Sequence, residues 1–170
     1  GYDPATASYF AYVRPTEMGR RAIALTRTQD FHEWPPPRLI LFPDAQDEPD
    51  VSFYGANYFS YPGRSDLHGL FVQVYHQNAD NIDNQLAFSR DGIFWHRPER
   101  RAIIPLGPTG SGYEGMNRSW GGGLIELPDG AWATLHEGVS FLHNFRAQEA
   151  AYDPFPARQA SQLRWSRWQP

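Results

Sequence analysis

Apolar and polar positions alternate along this chain over short stretches, the period of β-strands rather than helices. Tyr9-Phe10-Ala11-Tyr12-Val13-Arg14, Ala22-Ile23-Ala24-Leu25-Thr26, Leu70-Phe71-Val72-Gln73-Val74-Tyr75 and Gln85-Leu86-Ala87-Phe88-Ser89 are aromatic or β-branched and bounded by turn formers. Pro62-Gly63, Asp91-Gly92 and Asp129-Gly130 predict tight turns, because glycine adopts left-handed backbone angles without steric cost. Gly121-Gly122-Gly123-Leu124-Ile125 predicts a further strand. The one stretch with any helical character, 145–152, reads better as a loop turn. The expectation is an all-β protein.

A repeat lies within this pattern. Thr28-Gln29-Asp30-Phe31-His32-Glu33-Trp34 and Ser89-Arg90-Asp91-Gly92-Ile93-Phe94-Trp95 share a hydroxyl, an intervening residue, Asp, three more residues and Trp. Each follows an apolar strand and precedes an apolar stretch, Leu39-Ile40-Leu41-Phe42 or Ala102-Ile103-Ile104. Near the end, Gln162-Leu163-Arg164-Trp165-Ser166-Arg167 echoes Gln85-Leu86-Ala87-Phe88-Ser89-Arg90. Spacings of about 60 to 77 residues, built from strands with Asp-turn-Trp punctuation, predict β-propeller blades at 1–49, 50–112 and 113–170. In each turn the Asp carboxylate accepts bonds from its own backbone, and the Trp fills a wedge between neighbouring sheets, which are structural tasks.

Composition narrows the function. All 15 basic residues are Arg, and against 19 acids they leave a formal net charge of −4, so no general basic field suits a nucleic-acid backbone. Cysteine is absent, which excludes disulfides, thiolate catalysis and Cys-bound zinc. Without lysine neither a P-loop nor a Schiff base operates, and Gly110-Ser111-Gly112 lacks the Gly-x-Ser-x-Gly elbow of a hydrolase. No apolar run is long enough to span a membrane. A soluble chain is expected, with the compartment open between bacterial cytoplasm and periplasm or exterior.

The Ser-Arg-Asp-Gly-x-x-Trp turn and the opening Asp3-Pro4, followed by Tyr9, resemble the five-bladed β-propeller glycoside hydrolases of families 32, 43, 62 and 68. The related family 130 phosphorylases share that architecture, and a bacterial family of hydrolase-like propellers is the nearest likeness. The resemblance covers most of residues 1–143. It implies three carboxylates converging at the mouth of a central channel, each just before a blade's first strand. Asp3, Asp50 and Glu114 hold such positions, with Glu114 as general acid and Asp3 or Asp50 as base or nucleophile. Each also fits a turn residue, and Asp50 follows other acids, Asp44, Asp47 and Glu48, in a loop-like run. The chain lacks the Trp-Met-Asn-Asp-Pro, Arg-Asp-Pro and Glu-Cys-Pro motifs of fructosidase relatives.

Tyr54, Asn57, His76, Arg118, Trp120, His136 and His143 lie beside these acids and are the candidates for binding substrate. Aromatic rings stack on sugar faces, while Asn, Arg and His bond hydroxyls. No His-x-Glu-x-x-His or HExxH spacing occurs, so no metal and no organic cofactor is expected, although a structural Ca²⁺ in the channel is compatible with the resemblance. The expected partner is an oligo- or polysaccharide. The activity expected is glycoside hydrolysis, with a non-catalytic carbohydrate-binding propeller or a phosphorylase as alternatives. Three blades fall short of the four a closed propeller needs, so closure is expected through further blades or self-assembly.

Overall fold

The computed structural model describes residues 1–119, 123–144 and 161–169, and these contain strands and no helix. No helix there is long and apolar enough to cross a membrane. The stretch 145–152 and the start of 121–125 lie outside the described residues.

The first sheet runs in the order β1 (Tyr2–Asp3), β2 (Ser8–Val13), β5 (Ile23–Thr28) and β6 (Arg38–Leu41), all antiparallel. Between β2 and β5 the chain makes a small hairpin of β3 (Thr16–Glu17) and β4 (Arg20–Arg21). The second sheet has seven strands: β7 (Val51–Tyr61), β8 (Arg64–His76), β9 (Asn81–Ser89), β10 (Met116–Ser119), β11 (Ile125–Glu126), β12 (Trp132–Val139) and β13 (Ser161–Trp168). Pro62-Gly63 closes the β7–β8 hairpin and Asp129-Gly130 leads into β12, with both glycines at positive φ as the turns require. Strand β13 pairs along the whole of β12, while β10 and β11 share its other edge.

Burial follows the alternation. On β8, Leu70, Val72 and Val74 are fully buried on one face, and Phe71, Gln73 and Tyr75 are buried on the other. A strand covered on both faces is central to its sheet. The first set joins Ile23, Val51, Phe53 and Ala87 in the core, with Tyr12, Leu41 and Trp95 packed against it.

The two complete copies of the repeat form the same corner. The Thr28 hydroxyl donates to Asp30 (2.8 Å) and the Ser89 hydroxyl to Asp91 (2.9 Å). Each carboxylate then accepts two backbone N–H groups, from His32 and Glu33 or from Ile93 and Phe94, at 2.8–3.0 Å. Each Trp indole N–H turns back on the corner, onto the Phe31 carbonyl or the Gly92 carbonyl. The wedge expectation divides between them. Trp95 reaches Tyr12 of the first sheet (centroids 5.8 Å apart), whereas Trp34 stays 36% exposed against Phe31, since no further described sheet covers it.

The first sheet ends at Leu41 and the second begins at Val51. Within the second sheet β10 pairs parallel to β9 through Met116 and Ile82, which joins β7–β9 to β10–β13. One register pair is a weak ladder, and side-chain amides complete it. The Ser119 hydroxyl donates to Asn84 Oδ1 (3.0 Å), Asn84 Nδ2 to the Asn117 carbonyl (2.7 Å) and Asn117 Nδ2 to the Pro105 carbonyl (2.6 Å). Asn84 and Asn117 are fully buried.

An ion pair holds the linker between the sheets. Arg97, with its side chain 1% exposed, lies against Asp47 at 2.7 Å, donates to Gln85 Oε1 at 2.6 Å and covers the Phe53 ring. Arg100 adds contacts to Asp47 and Asp44. Burial alone would raise the Asp47 carboxyl, but the Arg97 hydrogen bond, the Asp44 N–H and the two guanidinium charges outweigh it and hold it below its ordinary value.

Two outcomes follow from these buried polar groups. Asp47→Asn strands Arg97 and lowers unfolding free energy by about 3–5 kcal/mol at pH 7 in urea titrations. Because the folded carboxyl is depressed, this stabilisation is complete above the ordinary carboxylate range and lost as pH falls through the depressed value, so the two proteins converge in acid. Asn84→Ala removes the acceptor of the Ser119 hydroxyl proton and the amide donor to the Asn117 carbonyl, and costs about 1–3 kcal/mol in the same measurement.

Candidate functional site

Strand β7 carries a bulge. Phe53 pairs with Val74 and Gly55 with Gln73, leaving Tyr54 as the extra residue. A bulge re-aims a side chain and leaves backbone groups off the ladder. Here Arg14, just past β2, donates to the orphaned Tyr54 carbonyl at 2.8 Å and lays its guanidinium 4.3 Å from the centre of the Tyr54 ring. The bulge thus opens a cleft where β2, β7 and β10 approach one another.

The cleft holds about 270 Å³, and its polar lining is Arg14, Tyr54, Asn57, Gln73, Arg118 and Ser119. The Asn57 amide donates to the Ser119 hydroxyl at 2.7 Å and also to the Ser119 carbonyl, which accepts from Gln73 at 2.9 Å. Arg118 is held by Glu137 of β12 at 2.8 Å. Its walls therefore offer an aromatic ring, two amides, a hydroxyl and two guanidiniums, and no carboxylate lines it.

Of the residues expected to bind substrate, the structure brings Tyr54, Asn57 and Arg118 together in this cleft. His143 stands next to it, with its ring 4.7 Å from that of Tyr54 and 4.5 Å from that of Tyr75. Burial, reinforced by the charges of Arg21 and Arg14 and opposed by Asp80, pulls the His143 imidazole below its ordinary value. His136 is elsewhere: it is buried on β12, bonded to the Ser166 hydroxyl at 3.0 Å. Burial and the Arg164 charge push it down to about 4. Trp120 lies outside the described residues.

The three expected carboxylates occupy separate places, and no described cavity is lined by two of them. Asp3 faces an open groove of about 700 Å³ with Arg27, Asp30, Glu33 and Asp91. It accepts from Thr6 at 2.8 Å and from Arg27 at 3.1 Å, and the Thr6 bond is the main reason its carboxyl is held low. Asp50 shares another open groove with His76 and Asp83, and accepts the Asn78 N–H at 2.9 Å. His76 bonds Asp83 at 2.9 Å, which raises its imidazole above the ordinary value. Glu114 closes its own loop, accepting the Gly110 and Gly112 N–H groups at 3.1 and 2.7 Å and the Ser111 hydroxyl at 3.4 Å. Its own N–H and these donors keep it below the ordinary glutamate value, an environment suited to the carboxylate form.

Sequence reasoning missed Arg14, Gln73 and Ser119. Gln73 carried a signal, as a polar residue inside the apolar run Leu70–Tyr75; Arg14 and Ser119 carried none, because a bulge cannot be read from alternation. Among the described residues no three His, Asp or Glu side chains gather to hold a metal ion.

No protein-family model matches the chain, and no curated protein does. Among solved structures, a chain named "Glycoside hydrolase" superimposes with a TM-score of 0.61 at 16% sequence identity, over 99% of this chain and 44% of that one. The likeness is one of fold: the chain has a glycoside-hydrolase-like architecture and spans less than half the length of that neighbour.

The His136 environment is testable by itself. Its imidazole titrates with a midpoint near 4 in proton NMR, and a midpoint at the ordinary histidine value contradicts the burial described. Since the folded form resists protonation, His136 stabilises fully above the unfolded histidine value, and that contribution declines as pH falls from about 6.5.

Proposed function

We propose that the Tyr54–Asn57–Arg118 cleft binds a carbohydrate unit and forms one wall of the substrate site in a glycoside-hydrolase-like propeller. The observation that carries this reading is the cleft's composition, an aromatic ring presented by a bulge and ringed by amides, a hydroxyl and guanidiniums. A sugar ring offers an apolar C–H face and a rim of hydroxyls, and these groups match both. The fold shared with a glycoside hydrolase supports the reading.

Hydrolysis within this chain is the second reading, favoured by Asp3, which keeps an ionised carboxylate on an open groove. In that reading Asp3 or Asp50 serves as base or nucleophile and Glu114 as acid, which requires groups that now occupy separate places to converge. The acid role requires the 110–114 loop to release its hold on Glu114, because a general acid must carry a proton to the leaving oxygen. The blades at 1–49, 50–112 and 113–170 then supply part of the ring, completed by further blades or a second copy.

Calorimetric titration with a panel of neutral oligosaccharides tests the first reading. Tyr54→Ala and Asn57→Ala each weaken binding about tenfold or more in proteins with unchanged circular dichroism. Equal binding by both variants and the parent rejects the cleft. Turnover of aryl furanosides and pyranosides, with and without inorganic phosphate, tests the second and separates hydrolysis from phosphorolysis. Asp3→Asn, Asp50→Asn and Glu114→Gln are expected to lower turnover roughly 100-fold where the carboxyl acts. Undiminished turnover in all three variants rejects the carboxylates as catalytic.

A further inference from the structure

Two arginines beside the cleft have no acidic partner among the described residues. Arg14 spends one of its five N–H donors on the Tyr54 carbonyl, and Arg21 of β4 stands 5.4 Å from the centres of both the Tyr54 and Tyr75 rings. Among the described residues neither lies within an ion pair, nor do Arg20, Arg38 and Arg164, whereas Arg27, Arg64, Arg90, Arg97, Arg100, Arg101, Arg118 and Arg167 all do. Two acids close to this corner are engaged. Glu137 holds Arg118, and Asp80 accepts from the Tyr75 hydroxyl and the Asn144 amide. The chain as a whole carries a formal net charge of −4, so this gathering of positive charge runs against its background. Both guanidiniums also lower the His143 imidazole, which places their fields at the same corner.

A guanidinium stacked on an aromatic ring keeps its donor edge free, and that edge matches the paired oxygens of an anionic substituent. A neutral sugar leaves both cations without a counter-charge; an acidic one supplies it through charge-assisted hydrogen bonds, the stronger kind. We propose that the cleft selects saccharides bearing an anionic group, a carboxylate or a sulfate ester, which Arg14 and Arg21 receive beside the Tyr54 ring. This selection rests on the cleft being a carbohydrate site.

The experiment compares matched ligands on the full chain by calorimetry: a uronate-containing oligosaccharide, its carboxyl-reduced neutral counterpart, and a sulfated oligosaccharide of the same length. The parent protein binds at least one acidic form about tenfold more tightly than the neutral one, and the preference shrinks as salt rises. The uronate and sulfate arms identify which anion is read. In Arg14→Gln and Arg21→Gln the ratio of acidic to neutral affinity falls towards one, while Arg14→Lys, which keeps the charge but loses the planar fork, retains part of it. Circular dichroism excludes variants that misfold, and the salt series on the parent needs no variant. Equal affinity for all three ligands, or a preference that survives both glutamine variants, overturns the anion selection and leaves the cleft as a neutral-sugar site. Failure of every ligand to bind overturns the carbohydrate reading as well.

Discussion

The buried chain of amides from Asn57 through Ser119 and Asn84 to Asn117 is the constraint on which the other parts of this structure depend. Backbone pairing between β9 and β10 amounts to a single parallel register pair, too little to dock one half of a sheet onto the other. The amides supply the missing connection, and in a buried environment each must be satisfied or penalise the fold. Their geometry also decides where β10 stops relative to β7. That placement puts Ser119 and Arg118 opposite Tyr54 and Asn57, so the same bonds that assemble the sheet shape the cleft.

A second constraint acts from outside the sheet. The linker from the first sheet to the second is tied down at Asp47 by Arg97 and Arg100, and Arg97 is itself fixed to the sheet through Gln85. Both ends of that ion pair are removed from water, and the guanidinium is further occupied by an amide and an aromatic ring, which offsets part of the desolvation cost. The first sheet is thereby set at one orientation, and Arg14 at its edge meets the bulge at Tyr54.

Much of the fold was legible from the residues. The strands around Tyr12, Leu25, Val72 and Ala87, the turns at Gly63, Gly92 and Gly130, and the Asp30 and Asp91 corners follow from alternation and turn chemistry, which are local. The joining of β9 to β10 in one sheet was not legible, because it rests on amides at Asn84 and Asn117, distant in sequence and indistinguishable from surface polar residues. The same limit applied to function. Tyr54, Asn57 and Arg118 were found as polar or aromatic residues near strand ends, but their meeting depends on a one-residue bulge. Asp3, Asp50 and Glu114 were chosen for preceding strands, a position in which a carboxylate also closes its own turn, as Glu114 does with Gly110 and Gly112.

The corner at Asp30 and Asp91 satisfies its own donors and acceptors and needs nothing specific from the residues enclosed within it. Phe31-His32-Glu33 and Gly92-Ile93-Phe94 occupy equivalent places without sharing a residue type at matching positions, while the bonds around them coincide. Only a hydroxyl, an aspartate and an indole are held in common. A corner of this kind therefore tolerates different side chains at its enclosed positions, so its shape is set by three residues while the others are free to serve the surface.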